Sequence, residues 1–342
     1  MDKFDSVLSP YFSPDKPGAT IIVTKNGKTL FRTAYGMADV EQKISLEPNM
    51  TMWLGSITKQ FTAVAIMILA EEGKLAVSDH INKYLPKYPT YGKTITIENL
   101  LTHTSGIKNY TEIPTFEKIV KNDVSAQQIV DYFQNEPLKF DPGTKSSYSN
   151  SGYILLGLII ETVSGESYQN YIAEHIFKPL GMVNTAYEGY ERESTRKAVG
   201  YSGTKKADRM SMTWPYAAGG IVSNVDDLAV WDAAISTGKL LKPASWQQIF
   251  TPFKLPRPWN MPFAYGWLVA QFKKHPTLEH GGMIPGFSTH AMRLPDDKIY
   301  VAVLMNDDGG KPSLFNALAS LFWGKTARSI TEKAAAIAIG EK

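Results

Sequence analysis

Apolar and polar positions fall into a few distinct patterns along the chain. Residues 19–25 form a short apolar-rich run that ends at Asn26-Gly27, a two-residue turn signal, and residues 28–36 return from it as the second strand of a hairpin. Residues 61–70 are apolar around almost the whole helical circumference, which predicts a helix at about 57–72 placed centrally rather than on the surface. From Val77 to Thr204 the pattern is of helices joined by loops, with no stretch that alternates like a sheet. Helices are expected from Ile97, over 125–135 with Ser125 as cap, over 152–162 and over 168–177, punctuated by Pro86, Pro89, Pro114, Pro137, Pro142 and Pro179.

The last third changes character. A helix is expected at 225–236, capped by Ser223 or Asn224, and another at 245–250. Three strands follow at 265–272, 287–293 and 299–304, with Pro295-Asp296-Asp297 as the last turn. Helices at about 313–323 and 331–339 complete the chain. Closely spaced strands with short links favour antiparallel pairing. The predicted fold class is α/β (α+β): an antiparallel sheet flanked by helices. Residues 1–76 and 205–342 would build that domain, 77–204 an inserted, mostly helical one, and the active site would lie in the cleft between them.

Composition narrows the functions available. The chain has 342 residues and a net charge of +3, with no long basic tract, so nucleic acid and anionic membranes are not expected partners. There is no cysteine, which removes thiolate nucleophiles, disulfides and cysteine-bound metal. The six histidines form no short metal signature, and no metal is expected. No segment approaches about 18 continuous apolar residues, so no membrane span is expected. The first residues lack the basic start and apolar block of a secretory leader. A cytoplasmic location is expected if the chain is complete, a periplasmic or extracellular one if a leader has been removed. The oligomeric state is not legible.

Three short motifs could carry chemistry. Ser56-Ile57-Thr58-Lys59 stands at the head of the buried helix, with Ser56 and Lys59 three residues apart on one face. A neutral lysine amine there could take the serine proton and allow acyl transfer through a covalent intermediate; the plain alternative is a capping serine and a solvated lysine. Tyr148-Ser149-Asn150 ends a polar loop before an apolar helix and could aim a phenol and an amide into a cleft. A neighbouring lysine ammonium would favour the phenolate base; turn and cap chemistry would explain the same residues. His280-Gly281-Gly282 offers two glycines for close backbone approach, with a main-chain N–H available to an oxyanion, or else marks a hairpin entry.

In this order, the three motifs make the chain resemble the penicillin-recognising serine hydrolases, in their class C β-lactamase-like branch. Flanking stretches resemble that branch too, among them Leu101-Thr102-His103-Thr104-Ser105-Gly106, Ala218-Gly219-Gly220 and Pro285-Gly286-Phe287-Ser288. The likeness spans about residues 10–325 and implies a β-lactamase/transpeptidase-like fold. It implies Ser56 as the acylated nucleophile, Lys59 as its proton partner, and Tyr148 as general base, with or without Lys59. Asn150 would orient Lys59 or the substrate, and the N–H groups of Ser56 and Met283 would form the oxyanion hole. His280, Gly281 and Gly282 would stand where the β-lactamases have Lys-Thr-Gly. A histidine only partly charged near neutrality, and a glycine without a hydroxyl, both weaken recognition of a substrate carboxylate.

The resemblance thus implies a serine hydrolase without metal or organic cofactor, acting on a small-molecule ester or D-amino-acid peptide. The expected activity is that of a carboxylesterase on small or medium acyl esters, with Trp53, Trp214, Tyr216, Trp259 and Trp267 read either as pocket residues or equally as core. The alternative is a D-alanyl-D-alanine carboxypeptidase or D-aminopeptidase-type penicillin-binding peptidase, or a weak β-lactamase. A Ser/His/Asp arrangement with His103 as base and Asp79 or Asp141 behind it is disfavoured, because no Gly-x-Ser-x-Gly elbow surrounds Ser56. A structural role for His103 is expected instead. A binding protein on an inherited hydrolase fold is disfavoured because Ser56, Lys59 and Tyr148 are all present.

Overall fold

A computed structural model describes residues 3–193, 195–256, 262–310 and 325–340. Its centre is a six-stranded antiparallel sheet in the order Leu268–Phe272, His275–Ile284, Phe287–Leu294, Ile299–Met305, Ala19–Lys25, Lys28–Tyr35. Ala19–Lys25 pairs with Ile299–Met305, so the first and last strands of the chain share one sheet. The hairpin turns at Asn26 and Gly27, both with positive φ (54° and 71°), which matches a two-residue turn to the twist of its strands.

The sheet is buried on both faces. On one side the helices Lys3–Leu8 and Lys325–Ile339 cover Ile21, Val23, Met292, Val301 and Val303. On the other lies the larger core, whose axis is the helix Thr58–Glu71. Every residue from Thr58 to Met67 is buried, as the all-round apolar pattern requires. The polar side chains on that helix are paired: Thr62 Oγ1 donates to the Ala217 carbonyl at 2.6 Å, and Gln60 Oε1 accepts from Trp231 Nε1 at 3.1 Å. The helix Asn150–Ser164 packs beside it. A Cβ at Gly157 would lie 2.4 Å from the Tyr216 ring, so this contact needs a residue without a side chain.

Most predicted helices are present, including Ile97–Leu101, Ala126–Phe133, Val225–Ser236 and Pro243–Ile249. Ser125 forms a capping box with Gln128, and Asn224, not Ser223, caps Val225–Ser236. The helix expected at 168–177 is Tyr168–Ile172 continued by a π turn, Ala173–Phe177. The final helix starts at Lys325, well before 331, where Ala327 and Ile330 already pack on the sheet and Arg328 pairs with Glu332. The helix expected at 313–323 lies outside the described residues.

Three strand expectations need correction. The sheet's second strand, His275–Ile284, was not expected as an element. Its His, Pro, Glu and Gly residues mask any alternation, and its ladders to strands on both sides hold it extended. The preceding strand begins at Leu268 rather than 265, because Tyr265 and Trp267 turn into the core around Gly266. Ala186–Tyr187 and Tyr201–Ser202 are strands inside the stretch read as purely helical; two residues are too few to show an alternating pattern. Ala186–Tyr187 pairs with Ile221–Ser223, which also pairs with Met52–Trp53 just before the buried helix.

Phe61 packs between Phe177, edge-on, and Trp231, tilted, with ring centroids 5.5 and 4.4 Å away. Phe61→Ala is expected to cost about 3–5 kcal/mol in denaturant unfolding. A loss below about 1 kcal/mol would mean that the helix is not the axis of the core.

Candidate active site

The short 3-10 turn Gly55–Ile57 delivers Ser56 to the sheet edge of the central helix. Ser56 is therefore not the helix cap; Ile57 occupies that place with no side-chain hydrogen bond. The turn is clamped against the strand His275–Ile284. Gly55 has φ +55°, and a Cβ there would lie 2.8 Å from the Met283 backbone nitrogen. A Cβ on Gly282 would lie 2.0 Å from the Leu54 carbonyl oxygen. Thr289 Oγ1 donates to that same oxygen at 2.8 Å. Two residues without side chains thus let the Ser56 turn and the Met283 amide approach each other.

Lys59 sits one turn along the helix and is completely buried. Its Nζ is 3.0 Å from Ser56 Oγ, 2.8 Å from Asn150 Oδ1 and 2.7 Å from the Ala218 carbonyl oxygen. No carboxylate is among these partners. Burial pushes the amine well below the ordinary lysine range, which favours its neutral form. A neutral amine has two N–H groups and one lone pair. Asn150 Oδ1 and the Ala218 carbonyl can only accept, so they take the two N–H groups, and the lone pair is left for the Ser56 hydroxyl.

Tyr148 also reaches the serine, its hydroxyl donating to Ser56 Oγ at 2.7 Å and its ring centroid 4.9 Å from Lys59 Nζ. His103 holds this tyrosine in place. Its carbonyl accepts from Ser147 N–H at 2.9 Å, its Nδ1 accepts from Ser149 N–H at 3.2 Å, and its ring lies 4.5 Å from the Tyr148 ring. Burial lowers the pKa of His103. Ser149 caps the helix Asn150–Ser164, and Asn150 N–H donates to Asn109 Oδ1 at 3.2 Å. The Ser/His/Asp alternative has no geometry: Asp79 is bound to Tyr84 and Lys83, and Asp141 to Lys93.

Ser56, Lys59, Tyr148 and Asn150 therefore form one hydrogen-bonded cluster, with Gly282 and Met283 against the serine turn. The ring centroid of His280 lies 6.1 Å from that of Tyr148. The charge expected of His280 needs correction. His280 is only 2% exposed, and burial pushes its pKa down to about 3, so it is neutral at pH 7 rather than partly charged. Burial likewise disfavours the Lys59 ammonium that the phenolate form of Tyr148 requires. Of the aromatics read as pocket or core, Trp214, Tyr216 and Trp267 are buried core, half-buried Trp53 donates to Glu188, and Trp259 lies outside the described residues. The Ala218 carbonyl was missed because a main-chain acceptor has no residue-type signature.

A serine hydroxyl between an amine lone pair and a phenol, beside a backbone amide on a strand, is arranged for acyl transfer. The sequence profile of the β-lactamase family matches residues 5–321. The chain belongs to the β-lactamase family. It is a serine hydrolase of the superfamily that includes the penicillin-binding proteins, and its α/β fold with inserted helical subdomain is theirs. It is 33% identical over 288 residues to the putative penicillin-binding protein PbpX of Bacillus subtilis, covering 82% of this chain and 68% of that one. Protein flp of Staphylococcus aureus is 30% identical over 302 residues, and the match covers 85% of this chain but only 59% of that longer protein.

Among solved structures, the octameric penicillin-binding protein homologue from Pyrococcus abyssi superposes with a TM-score of 0.84 and 28% identity, over all of this chain and 78% of that one. The D-amino acid amidase from Ochrobactrum anthropi SV3 superposes with a TM-score of 0.83 over 98% of both chains; at 22% identity this likeness is one of fold. No helix among the described residues is long and apolar enough to cross a membrane.

The depressed amine makes stability depend on pH. An unfolded chain keeps the Lys59 proton up to the ordinary 10.5, the folded chain only to a lower pH. Between the two, the unfolded state binds more protons, so wild-type stability rises with pH. The unfolding free energy of the wild type minus that of Lys59→Met is therefore expected to grow as pH is raised towards 10.5. A difference that stays constant across that range contradicts a neutral lysine.

Proposed function

We propose that the protein hydrolyses small D-amino-acid amides and related peptides through an acyl-enzyme on Ser56. The observation that carries this reading is the position of Ser56 Oγ, 3.0 Å from the buried Lys59 amine and 2.7 Å from the Tyr148 hydroxyl. Lys59 takes the Ser56 proton as Oγ adds to the carbonyl carbon. The N–H groups of Ser56 and Met283 hold the oxyanion. Tyr148 gives its proton to the departing nitrogen and recovers one from Lys59. In the second half, the same pair takes a proton from water as it attacks the ester carbonyl, and Ser56 leaves with that proton. Asn150 keeps the Lys59 amine aimed at Oγ. This assigns the base role to Lys59 and the acid role to Tyr148, because a neutral lysine can accept a proton and cannot create a phenolate.

Three observations support the amide reading over the carboxylesterase one. The relatives include penicillin-binding proteins, and a D-amino acid amidase shares the fold over nearly its full length. The aromatic residues open to an acyl-pocket reading are largely core. A neutral His280 supplies no cation for a substrate carboxylate, which disfavours β-lactams and free peptide C-termini relative to neutral amides.

The test is hydrolysis of D-alaninamide, L-alaninamide, p-nitrophenyl butyrate and nitrocefin, measured side by side. The D-amide is expected to be cleaved with a clear preference over its L-isomer and over nitrocefin, and Ser56→Ala to lower kcat by roughly 10³-fold or more. Efficient butyrate hydrolysis with both amides untouched would restore the carboxylesterase reading. Undiminished turnover by Ser56→Ala would remove the serine mechanism altogether.

A further inference from the structure

His280 has a feature that the proposed cycle does not use. Its Nδ1 lies 2.6 Å from the Gly281 carbonyl oxygen, an atom that can only accept, so Nδ1 carries the proton. In the neutral ring Nε2 then has a free lone pair. That atom is buried and has no hydrogen-bond partner among the described residues. A buried acceptor without a donor is costly, so Nε2 gains from any donor that a ligand brings to it. Strand alternation sends Glu279 to the opposite face, where it pairs with Arg328 of the C-terminal helix. His280 faces Tyr148, and Met283 follows three residues along the same strand.

We propose that His280 Nε2 is a specificity contact that accepts a hydrogen bond from an N–H on the leaving-group side of the substrate. This rests on the amide reading above and narrows it. Primary and secondary amides carry that N–H; esters and tertiary amides do not. A carboxylate in the same place would set its lone pairs against that of Nε2. The site thus selects by the acceptor it leaves unpaired, which discriminates against analogues that lack an N–H to fill it.

The first arm of the test is independent of turnover. Imidazole ¹⁵N spectra of the Ser56→Ala protein are expected to show His280 with Nδ1 protonated and Nε2 bare at pH 7. Saturating D-alaninamide should shift the Nε2 resonance, and D-alanine methyl ester should not. The reverse tautomer, an imidazolium, or equal responses to both compounds would overturn the proposal even if the amide is a substrate.

The second arm is kinetic. His280→Leu should lose about tenfold in kcat/KM on D-alaninamide, against less than threefold on D-alanine methyl ester. His280→Gln, whose amide oxygen can accept in the same region, should recover much of the amide activity. Equal losses on amide and ester would reduce His280 to a packing residue and contradict the proposal. If neither compound is hydrolysed by the wild type, the amide reading fails, while a donor-specific Nε2 shift would still uphold the contact.

Discussion

The site depends on one unfavourable placement: a lysine buried completely and given no carboxylate among the described residues. An ammonium there would forfeit its hydration without an opposing charge, and proteins meet that cost by releasing the proton. The Asn150 amide oxygen and the Ala218 carbonyl can satisfy two N–H groups of the neutral amine but provide no counter-charge. What remains is a lone pair 3.0 Å from a serine hydroxyl. Thermodynamic cost and chemical usefulness therefore have the same origin, as at other sites where stability is given up for reactivity.

The surroundings keep this arrangement from relaxing. The helix bearing Lys59 is buried along its first three turns and cannot swing its side chain to water. A Cβ on Gly266 would lie 2.7 Å from the Lys59 carbonyl oxygen, so the chain entering the sheet lies directly on the same helix turn. On the other side, His103 fixes Tyr148 through two backbone contacts and a ring contact. The nucleophile is thus held between a rigid helix, a sheet strand and a pinned loop, each from a distant part of the chain. Little reorganisation is needed as charge develops.

Much of this was legible in the residues. Asn26-Gly27 marked the hairpin because few residue pairs accept positive φ twice. The apolar run from Phe61, interrupted only by Thr62, marked the buried helix because only a central element can bury every face. The identities Ser56, Lys59, Tyr148 and Asn150 were readable because the chemistry demands those side chains. The strand His275–Ile284 was not readable as an element, because its pairing comes from neighbours far along the chain and its glycines answer to the Leu54 carbonyl rather than to strand propensity. Charge states were equally hidden. Burial pushes Lys59 and His280 towards their neutral forms, and burial is a property of the folded whole. The aromatic residues left two readings open for the same reason: nothing local separates a pocket wall from a core.

The most direct test of the account is the titration of the Lys59 side-chain nitrogen, followed by NMR in protein carrying ¹⁵N-lysine and assigned with Lys59→Met. The account predicts that this one resonance loses its proton at a markedly lower pH than the exposed lysines, with Ser56 intact and no ligand present. A Lys59 signal that remains an ammonium until the surface lysines titrate would contradict it, and the serine would need another base.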